Sequence, residues 1–176
     1  MTVKLNLGCG DTLLPDFINF GLFGYTVEAW KLDELTAGSH IYKLDLNNLP
    51  LPLPNSFAAH IRLSQVLEHL TCHPFEFIQE CYRILQPDGV LFVGLPSFSH
   101  SLPHLRGYHP EGFMNTVIGK GYPSTKDYHC RAVFKLEKFE RDFSLKLLLR
   151  RIWELVRALA SKKIEWTMVK TGRKDD

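Results

Sequence analysis

The sequence contains little cysteine: four residues in a chain of 176, with no Cys-x-x-Cys pair among them. Such a count excludes a disulfide-stabilised scaffold and a cysteine-rich zinc module, and it indicates reduced thiols. Long apolar runs are also missing, since no stretch approaches the roughly 20 consecutive apolar residues that a membrane span needs. The amino terminus shows no basic head, apolar core and cleavage site, so we expect no signal peptide. These absences together predict a cytoplasmic protein.

What the chain does contain is the composition of one folded domain. Hydrophobic residues make up 45% of it and charged residues 23%, which is enough apolar material for a sizeable core. The charge is unevenly distributed, because residues 1–129 carry a net charge of −4 and residues 130–176 a net charge of +6. This contrast indicates either a solvated amphipathic segment on an acidic body or a surface for an acidic partner, and we favour the first.

Short apolar segments alternate with helical patterns in the first half of the chain. Apolar residues at spacings of three and four predict a helix over 66–85, regular from Pro74 onward, and a second helix is predicted over 26–35. This alternation predicts an α/β fold with a mostly parallel twisted sheet and helices on both faces. The first connection, 9–16, is too short for a full crossover helix. The predicted strands are 3–7, 17–20, 40–44, 59–64 and 89–95.

Four segments that could bind a ligand follow the first four strands. Ligands of parallel α/β sheets bind beyond the carboxyl ends of the strands, so we expect these segments to line one pocket. Each has an ordinary alternative: the glycines can form any tight turn, Asp45 can cap a helix, and His69 can be a packed or exposed histidine. The segments read GCGD from residue 8, FGLF from 20, LDLNNL from 44 and SQVLEHL from 64.

These segments and their surroundings closely resemble the class I S-adenosylmethionine-dependent methyltransferases, and most nearly the type 11 methyltransferase family. The resemblance implies a Rossmann-like methyltransferase fold and S-adenosylmethionine as the cofactor. A nicotinamide dehydrogenase is disfavoured, because the third glycine of the Gly-x-Gly-x-x-Gly turn is missing. The stretches that carry the resemblance read LNLGCGDTLLPDFIN, YKLDLNNLPLPLPNSFAAHIRLSQVLEHL and FEFIQECYRILQPDGVLFVGLPS.

The resemblance also implies how individual residues contact the cofactor. The glycine turn would pass beneath the methionine part, and the end of the second strand would lie beside the ribose. Asp45 would accept the adenine amino group, and Leu46 would offer its backbone amide to the ring. The residues after the fourth strand would lie near the sulfonium and the incoming substrate. The implied cofactor-binding residues are Gly8, Cys9, Gly10, Phe20, Gly21, Asp45, Leu46, Ser64 and Gln65.

Several positions depart from the family pattern. Gly21 stands where the family has the aspartate that holds the two ribose hydroxyls, and Ala58 also stands where an aspartate is usual. Either Asp16, Asn19 or a water takes over the hydroxyls, or the cofactor is held less tightly. The candidate catalytic residues are His69 and His100, since histidine titrates near neutrality. The spacing of the histidines between 100 and 129 matches no zinc pattern, so we expect no metal.

The second half of the chain fits the family pattern less well and makes the C-terminal part atypical. We expect one domain, 1–176, with a cofactor-binding half, a loop region over the substrate and C-terminal helices with a closing strand. The basic stretch 145–163 is predicted to be an amphipathic helix that packs on the sheet, with contact to a membrane surface as the weaker alternative. The three parts are 1–98, 99–128 and 129–176, with a helix predicted over 129–144 and a strand over 164–174.

Three functions fit the sequence. The first is methyl transfer to a small molecule or saccharide, and the second is a catalytically degenerate relative that serves as a binding or regulatory protein. The third is methylation of nucleic acid or protein. It is disfavoured, because the fourth strand is followed by SQVL and not by the Asn/Asp-Pro-Pro-Tyr/Phe type of motif found in enzymes that methylate amines. The acceptor atom and the oligomeric state are left open.

Overall fold

Seven strands form a single mixed sheet. The structure is a computed structural model and describes residues 2–24, 35–96, 132–141 and 164–173. The strand order is β3-β2-β1-β4-β5-β7-β6, so the chain runs outward from β1 in one direction and then in the other. The elements are β1 (Lys4–Leu7), β2 (Ile18–Gly21), β3 (Ile41–Lys43), β4 (Ala58–Ser64), α1 (Pro74–Ile84), β5 (Leu85–Leu95), β6 (Ala132–Arg141) and β7 (Ile164–Arg173).

The first five strands are parallel to one another, and β7 runs antiparallel to both of its neighbours. Leu7 of β1 is level with Phe20 of β2 on one side and with Leu63 of β4 on the other. The carboxyl ends of these central strands therefore meet at one edge of the sheet. The predicted strands and the mostly parallel Rossmann-like fold are confirmed.

One face of the sheet forms the core. Side chains alternate between the two faces of a strand, and every second residue of the central strands is fully buried against a cluster that includes Phe77, Ile78 and Cys81 of α1. Helix α1 begins at Pro74, as predicted, with His73 Nδ1 accepting the Phe75 amide as an N-terminal cap. The core residues of the central strands are Leu5, Leu7, Ile61, Leu63, Leu91 and Val93.

The connection from β1 to β2 contains turns but no helix across residues 8–17, which confirms the shortened first crossover. A buried asparagine orders it. Asn19 Oδ1 accepts hydrogen bonds from Asn6 Nδ2 (2.8 Å) and the Leu14 amide (3.0 Å), while its Nδ2 donates to carbonyl oxygens of Leu14, Phe17 and Gly38. These bonds satisfy backbone groups that a helix would otherwise satisfy internally.

The helix predicted over 129–144 is wrong, because residues 132–141 form strand β6 and pair with β7. Val133, Leu136 and Phe139 follow one another at a spacing of three, which is a helical period. The register shifts between Leu136 and Lys138, so a bulge interrupts the two-residue period that would have identified a strand. Pairing with β7 along residues 132–141 holds this segment in the extended conformation of a strand.

Other predicted segments differ from the structure or lie outside it. Of the helix predicted over 66–85, only Pro74–Ile84 is α-helical, and Leu67–His69 forms a separate 3-10 turn. The helix predicted over 26–35 lies outside the described residues except at its last position, and the regions 99–128 and 145–163 lie wholly outside them. Across the described part of the chain, no helix has the length and apolar character needed to cross a membrane.

The sheet face opposite the core carries a histidine, His60, whose pKa is lowered by its surroundings. His60 of β4 lies edge-on to the Phe17 ring, with ring centroids 5.2 Å apart, and its Nε2 atom is buried without a hydrogen bond among the described residues. Burial lowers the pKa of His60 below its usual 6.5, and the positive charges of Lys4 and Arg62 lower it further.

We expect acid to destabilise the protein through this residue. Because the pKa of His60 is lower in the folded state, the unfolded state binds more protons once the pH falls below 6.5. The free energy of unfolding should therefore fall as the pH drops through 6.5 toward the folded-state pKa, and the His60→Gln variant should lose less over the same range. Urea denaturation of both proteins between pH 7.5 and pH 5 measures this, and parallel curves would contradict it.

Candidate functional site

A cavity of about 430 Å³ opens at the carboxyl ends of the parallel strands. It lies where the strand order reverses between β1 and β4, which is the usual ligand site of an open α/β sheet. All four predicted segments contribute to its wall. The lining residues among those described are Gly8, Gly10, Asp11, Gly21, Leu22, Phe23, Ile41, Asp45, Leu46, Asn47, Gln65, Val66, His69 and Leu70.

Most of the predicted site residues line this cavity, but not all. Six of the nine predicted cofactor-binding residues do so, and so does His69 on its 3-10 turn. Cys9 and Phe20 instead lie buried in the core, with 6% and 0% of their surface exposed, and Ser64 is the last residue of β4. His100 lies outside the described residues. Within the described part of the chain, no three His, Cys, Asp or Glu residues lie close enough to hold a metal ion.

The glycine turn after β1 has a different requirement at each glycine. Gly8 has a φ of +69°, and a Cβ atom there would lie 2.7 Å from Val66 Cγ2. Gly10 has a φ of +51°, but a Cβ there would have no heavy atom within 4 Å. The left-handed region favours glycine at both positions. Gly8 therefore permits close packing against the segment after β4, and Gly10 leaves open space beside the cavity.

The same turn is fastened to β2. The Cys9 amide donates to the Phe20 carbonyl (2.8 Å), and the Thr12 amide donates to the Cys9 carbonyl (2.9 Å), which closes a β-turn with Gly10 and Asp11 at its tip. Burial raises the pKa of the Cys9 thiol, and the negative charge of Asp11 adds to the rise. Cys9 is therefore a neutral thiol beneath the site.

Asp45 shapes its own loop as well as facing the cavity. Its Oδ1 accepts the Asn47 amide (3.0 Å), and its Oδ2 accepts Asn48 Nδ2 (3.2 Å). Asn47 Oδ1 in turn accepts the Thr71 amide at 2.7 Å and the Thr71 hydroxyl at 3.0 Å. Asn47 thus ties the loop after β3 to the segment before α1. Each Asp45 oxygen has a second lone pair, so the carboxylate can still accept a ligand hydrogen.

Gln65 has an unusual backbone and an unsatisfied side chain. Its φ is +58°, in the left-handed region, and its amide is held by the Gly94 carbonyl at 2.8 Å. Its Nε2 atom is buried and has no hydrogen bond within the described residues, although the residue lines the cavity. A buried donor without a partner costs free energy, and left-handed backbone at a non-glycine residue adds strain. Both features are typical of a ligand site.

The two proposed replacements for the missing ribose-binding aspartate do not reach the cavity. The Asn19 side chain is fully engaged by Asn6 of β1, by Leu14 and Phe17 of the β1–β2 connection, and by Gly38 before β3. Asp16 is exposed and is not among the described lining residues. Gly21 itself is not in the left-handed region, and a Cβ there would lie 3.1 Å from Ile41 Cγ2. A side chain at this position would therefore require only a small shift of that methyl group.

Sequence reasoning missed several lining residues. Asp11, Leu22, Phe23 and Asn47 lie in the segments predicted to line the pocket, but no individual role was predicted for them. Phe23 is 83% exposed beside the cavity, and an aromatic residue two positions after a strand end was a usable signal. The role of Asn47 depends on contacts with Thr71, 24 residues away along the chain, which no local pattern shows.

Comparison with known proteins finds a family match in the half of the chain that lines the cavity. The family described as methyltransferase domain matches residues 5–93. No curated protein matches the sequence. One similar solved structure is an S-adenosylmethionine-dependent methyltransferase from Archaeoglobus fulgidus, with a TM-score of 0.57 and 17% identity over 96% of this chain and 86% of that one.

Two further similar structures differ from each other in their chemistry. One is a 1,6-didemethyltoxoflavin-N1-methyltransferase from Burkholderia thailandensis with bound 1,6-didemethyltoxoflavin and S-adenosylhomocysteine, at a TM-score of 0.59 and 12% identity over 97% of this chain and 71% of that one. The other is the 4+2 cyclase SpnF, at a TM-score of 0.58 and 14% identity over 97% and 75%. At these identities the likeness establishes the fold.

Proposed function

The chain belongs to the methyltransferase domain family, and we propose that it transfers a methyl group from S-adenosylmethionine to a small-molecule or saccharide acceptor. The observation that carries this proposal is the convergence of four strand-end segments on one cavity. All four segments lie within the part of the chain that matches the family.

The residues of the cavity fit S-adenosylmethionine, the cofactor of this family. The volume of the cavity, about 430 Å³, lies within the range of roughly 300–1,000 Å³ that is usual for small-molecule and cofactor sites. The open space beside Gly10 allows a ligand to approach the backbone, and Gln65 Nε2 is a buried donor without a partner within the described residues. When bound, the cofactor supplies a methyl group on a sulfonium cation.

The residues of this chain would bind the cofactor and orient it toward the methyl acceptor. The glycine turn would bring backbone close to the ligand, and Asp45 would accept the adenine amino group. Asp11 and Asp45 put two negative charges at a site for a cationic ligand. Gln65 and His69 border the cavity on the β4 side, where the acceptor would approach. Methyl transfer from an activated donor needs chiefly alignment of the two reactants, so positioning supplies much of the acceleration.

The acceptor class follows from the shape and charge of the site. A concave site suits a small molecule, and the exposed Phe23 beside it offers a flat apolar face to a ring. Residues 1–129, which include every described lining residue, carry a net charge of −4. Such a charge disfavours nucleic acid, whose binding depends on basic residues that neutralise phosphates. The bound small molecule in the Burkholderia thailandensis methyltransferase is in keeping with this class.

A second candidate function is binding of the cofactor without methyl transfer. Gly21 supplies no side chain to the cavity at the end of β2, and the similarity to a 4+2 cyclase shows that this fold is not restricted to methyl transfer.

Two measurements separate the functions. Calorimetric titration with S-adenosylmethionine and with S-adenosylhomocysteine tests binding, and transfer of isotope-labelled methyl groups to panels of small molecules and sugars tests reaction. Binding with transfer supports the proposal, and binding without transfer to any acceptor supports the second candidate. Failure to bind either compound would overturn both.

Removing the Asp45 carboxylate should weaken cofactor binding. We expect Asp45→Ala to lose about 1.5–3 kcal/mol of binding free energy, roughly 10- to 100-fold in affinity for S-adenosylhomocysteine, because a charge-assisted hydrogen bond to the adenine is lost. Asn48→Ala is the matched control, since it removes the loop bond to Asp45 Oδ2 and leaves the carboxylate in place. Titrations that give the two variants the same affinity would show that Asp45 acts only through its loop.

A further inference from the structure

The end of β2 presents backbone alone to the cavity. Gly21 is the last residue of the strand and lines the cavity without a side chain. The nearest atoms that a Cβ there would meet include Ile41 Cγ2 at 3.1 Å and Cys9 Sγ at 3.5 Å. Cys9 belongs to the glycine turn, so the turn after β1 directly borders the position where a side chain is missing.

The turn places Asp11 at the same end of β2. The Cys9 amide is hydrogen-bonded to the carbonyl of Phe20, the residue before Gly21. The Thr12 amide closes the β-turn on Cys9, and Asp11 is therefore at the tip of a turn whose base is fixed to the strand. Asp11 is exposed and lines the cavity. Its negative charge also helps to raise the pKa of the Cys9 thiol, which places the charge near the sulfur that borders Gly21.

Asp11 is also a cavity carboxylate whose acceptor positions are all open within the described residues. Within the described residues no hydrogen bond to its side chain is formed, whereas both oxygens of Asp45 accept hydrogen bonds from Asn47 and Asn48. Asn19, which lies two residues before Gly21, has its side chain fully engaged by Asn6, Leu14, Phe17 and Gly38.

We propose that Asp11 accepts hydrogen bonds from the two ribose hydroxyls of S-adenosylmethionine and so supplies the carboxylate that Gly21 lacks. The inference rests on the proposed cofactor. It makes the glycine turn responsible for the ribose as well as for the methionine part, and it makes the binding capacity of the site independent of a side chain on β2.

The experiment compares ligands with and without the hydroxyls in proteins with and without the carboxylate. Adenosine and 2′,3′-dideoxyadenosine are titrated into the parent, Asp11→Ala and Asp16→Ala. We expect the parent to prefer adenosine about 10- to 100-fold, the range for charge-assisted hydrogen bonds. In Asp11→Ala the preference should disappear. Asp16→Ala, which removes an exposed carboxylate of the same connection outside the described lining, should keep it.

A second variant restores the carboxylate from the other side. In the Asp11→Ala background, Gly21→Asp should recover the preference for adenosine, because the Gly21 backbone is not left-handed and only the Ile41 methyl must move. In the parent the same change should give little gain or a loss, because two carboxylates at one place repel each other.

The outcomes separate this inference from the proposed function. If the parent binds S-adenosylhomocysteine and Asp11→Ala loses affinity equally for adenosine and dideoxyadenosine, the function stands and the assignment of Asp11 to the ribose is wrong. A tenfold gain on Gly21→Asp in the parent would likewise overturn the assignment. If S-adenosylhomocysteine does not bind to the parent, the proposed function fails and this inference with it.

Discussion

Replacing Gly8 with alanine will destabilise the protein by about 2–5 kcal/mol, the sum of left-handed backbone strain of about 1–2 kcal/mol and overpacking of about 1–3 kcal/mol. The strain arises because φ is +69°, and the overpacking because the new methyl would lie 2.7 Å from Val66 Cγ2. Val66 is itself 5% exposed in the core, so it has little freedom to move aside. Urea denaturation of the parent and the variant measures the loss.

Two further variants divide this cost. Gly10→Ala has the strain without the clash, since a Cβ there meets no atom within 4 Å, and it should cost about 1–2 kcal/mol. In a Val66→Ala background, Gly8→Ala should cost about as little, because the methyl groups that it would strike are gone. Equal losses for Gly8→Ala in the two backgrounds would show that the close approach to Val66 is not what requires glycine.

The second large effect is expected at Glu80, where we predict a loss of about 3–5 kcal/mol for Glu80→Ala, the cost of breaking a buried ion pair from one side. Glu80 is 8% exposed on α1. Its Oε1 accepts the Leu51 amide at 2.7 Å and Arg83 Nη2 at 2.6 Å, and its Oε2 accepts Arg83 Nε at 2.9 Å. Arg83 also donates to the Leu51 carbonyl and to Asn55. Without the carboxylate, a buried amide and a partly buried guanidinium both lose their acceptor.

Variants on the same helix test that explanation. Glu80→Gln keeps an acceptor for the Leu51 amide and should cost less than Glu80→Ala. Glu76→Ala removes an exposed carboxylate in the first turn of α1 and should cost about 1 kcal/mol or less, the value of its interaction with the helix dipole. Thermal and urea denaturation of the three variants give the comparison. A loss for Glu80→Ala no larger than for Glu76→Ala would refute the buried network.

The strands that build the cavity were predictable because their sequences carry local signals. Short apolar runs such as 3–7 and 59–64 are bounded by turn-forming or polar residues, and the rule that ligands bind at carboxyl ends then brought four segments together. Strand β6 was not predictable in this way. Its pairing partner, β7, follows it only after residue 163, and its bulge replaces the two-residue period with a helical one.

The roles of side chains in the site were likewise predictable only where the sequence carries a local signal. Asp45 could be assigned from its position after a strand, and its bonds to Asn47 and Asn48 stabilise a turn, not the helix cap that was its alternative. Nothing in the sequence indicates that Gln65 adopts a left-handed φ, because glutamine has no special tendency to do so. Likewise, no sequence pattern predicts the hydrogen bond that fixes the glycine turn after β1 to Phe20 of β2.

The side-chain bonds of Asn19 have a consequence for how this protein can diverge. Surface loops generally tolerate inserted residues, since the entropy of closing a loop rises slowly with its length. The connection between β1 and β2 does not tolerate inserted residues in this way. Asn19 keeps its three bonds to Leu14 and Phe17 only while these residues stand at their present spacing from it along the chain. An insertion or deletion here would break several of these bonds at once. In descendants of this sequence, the length of the connection should therefore vary less than its composition.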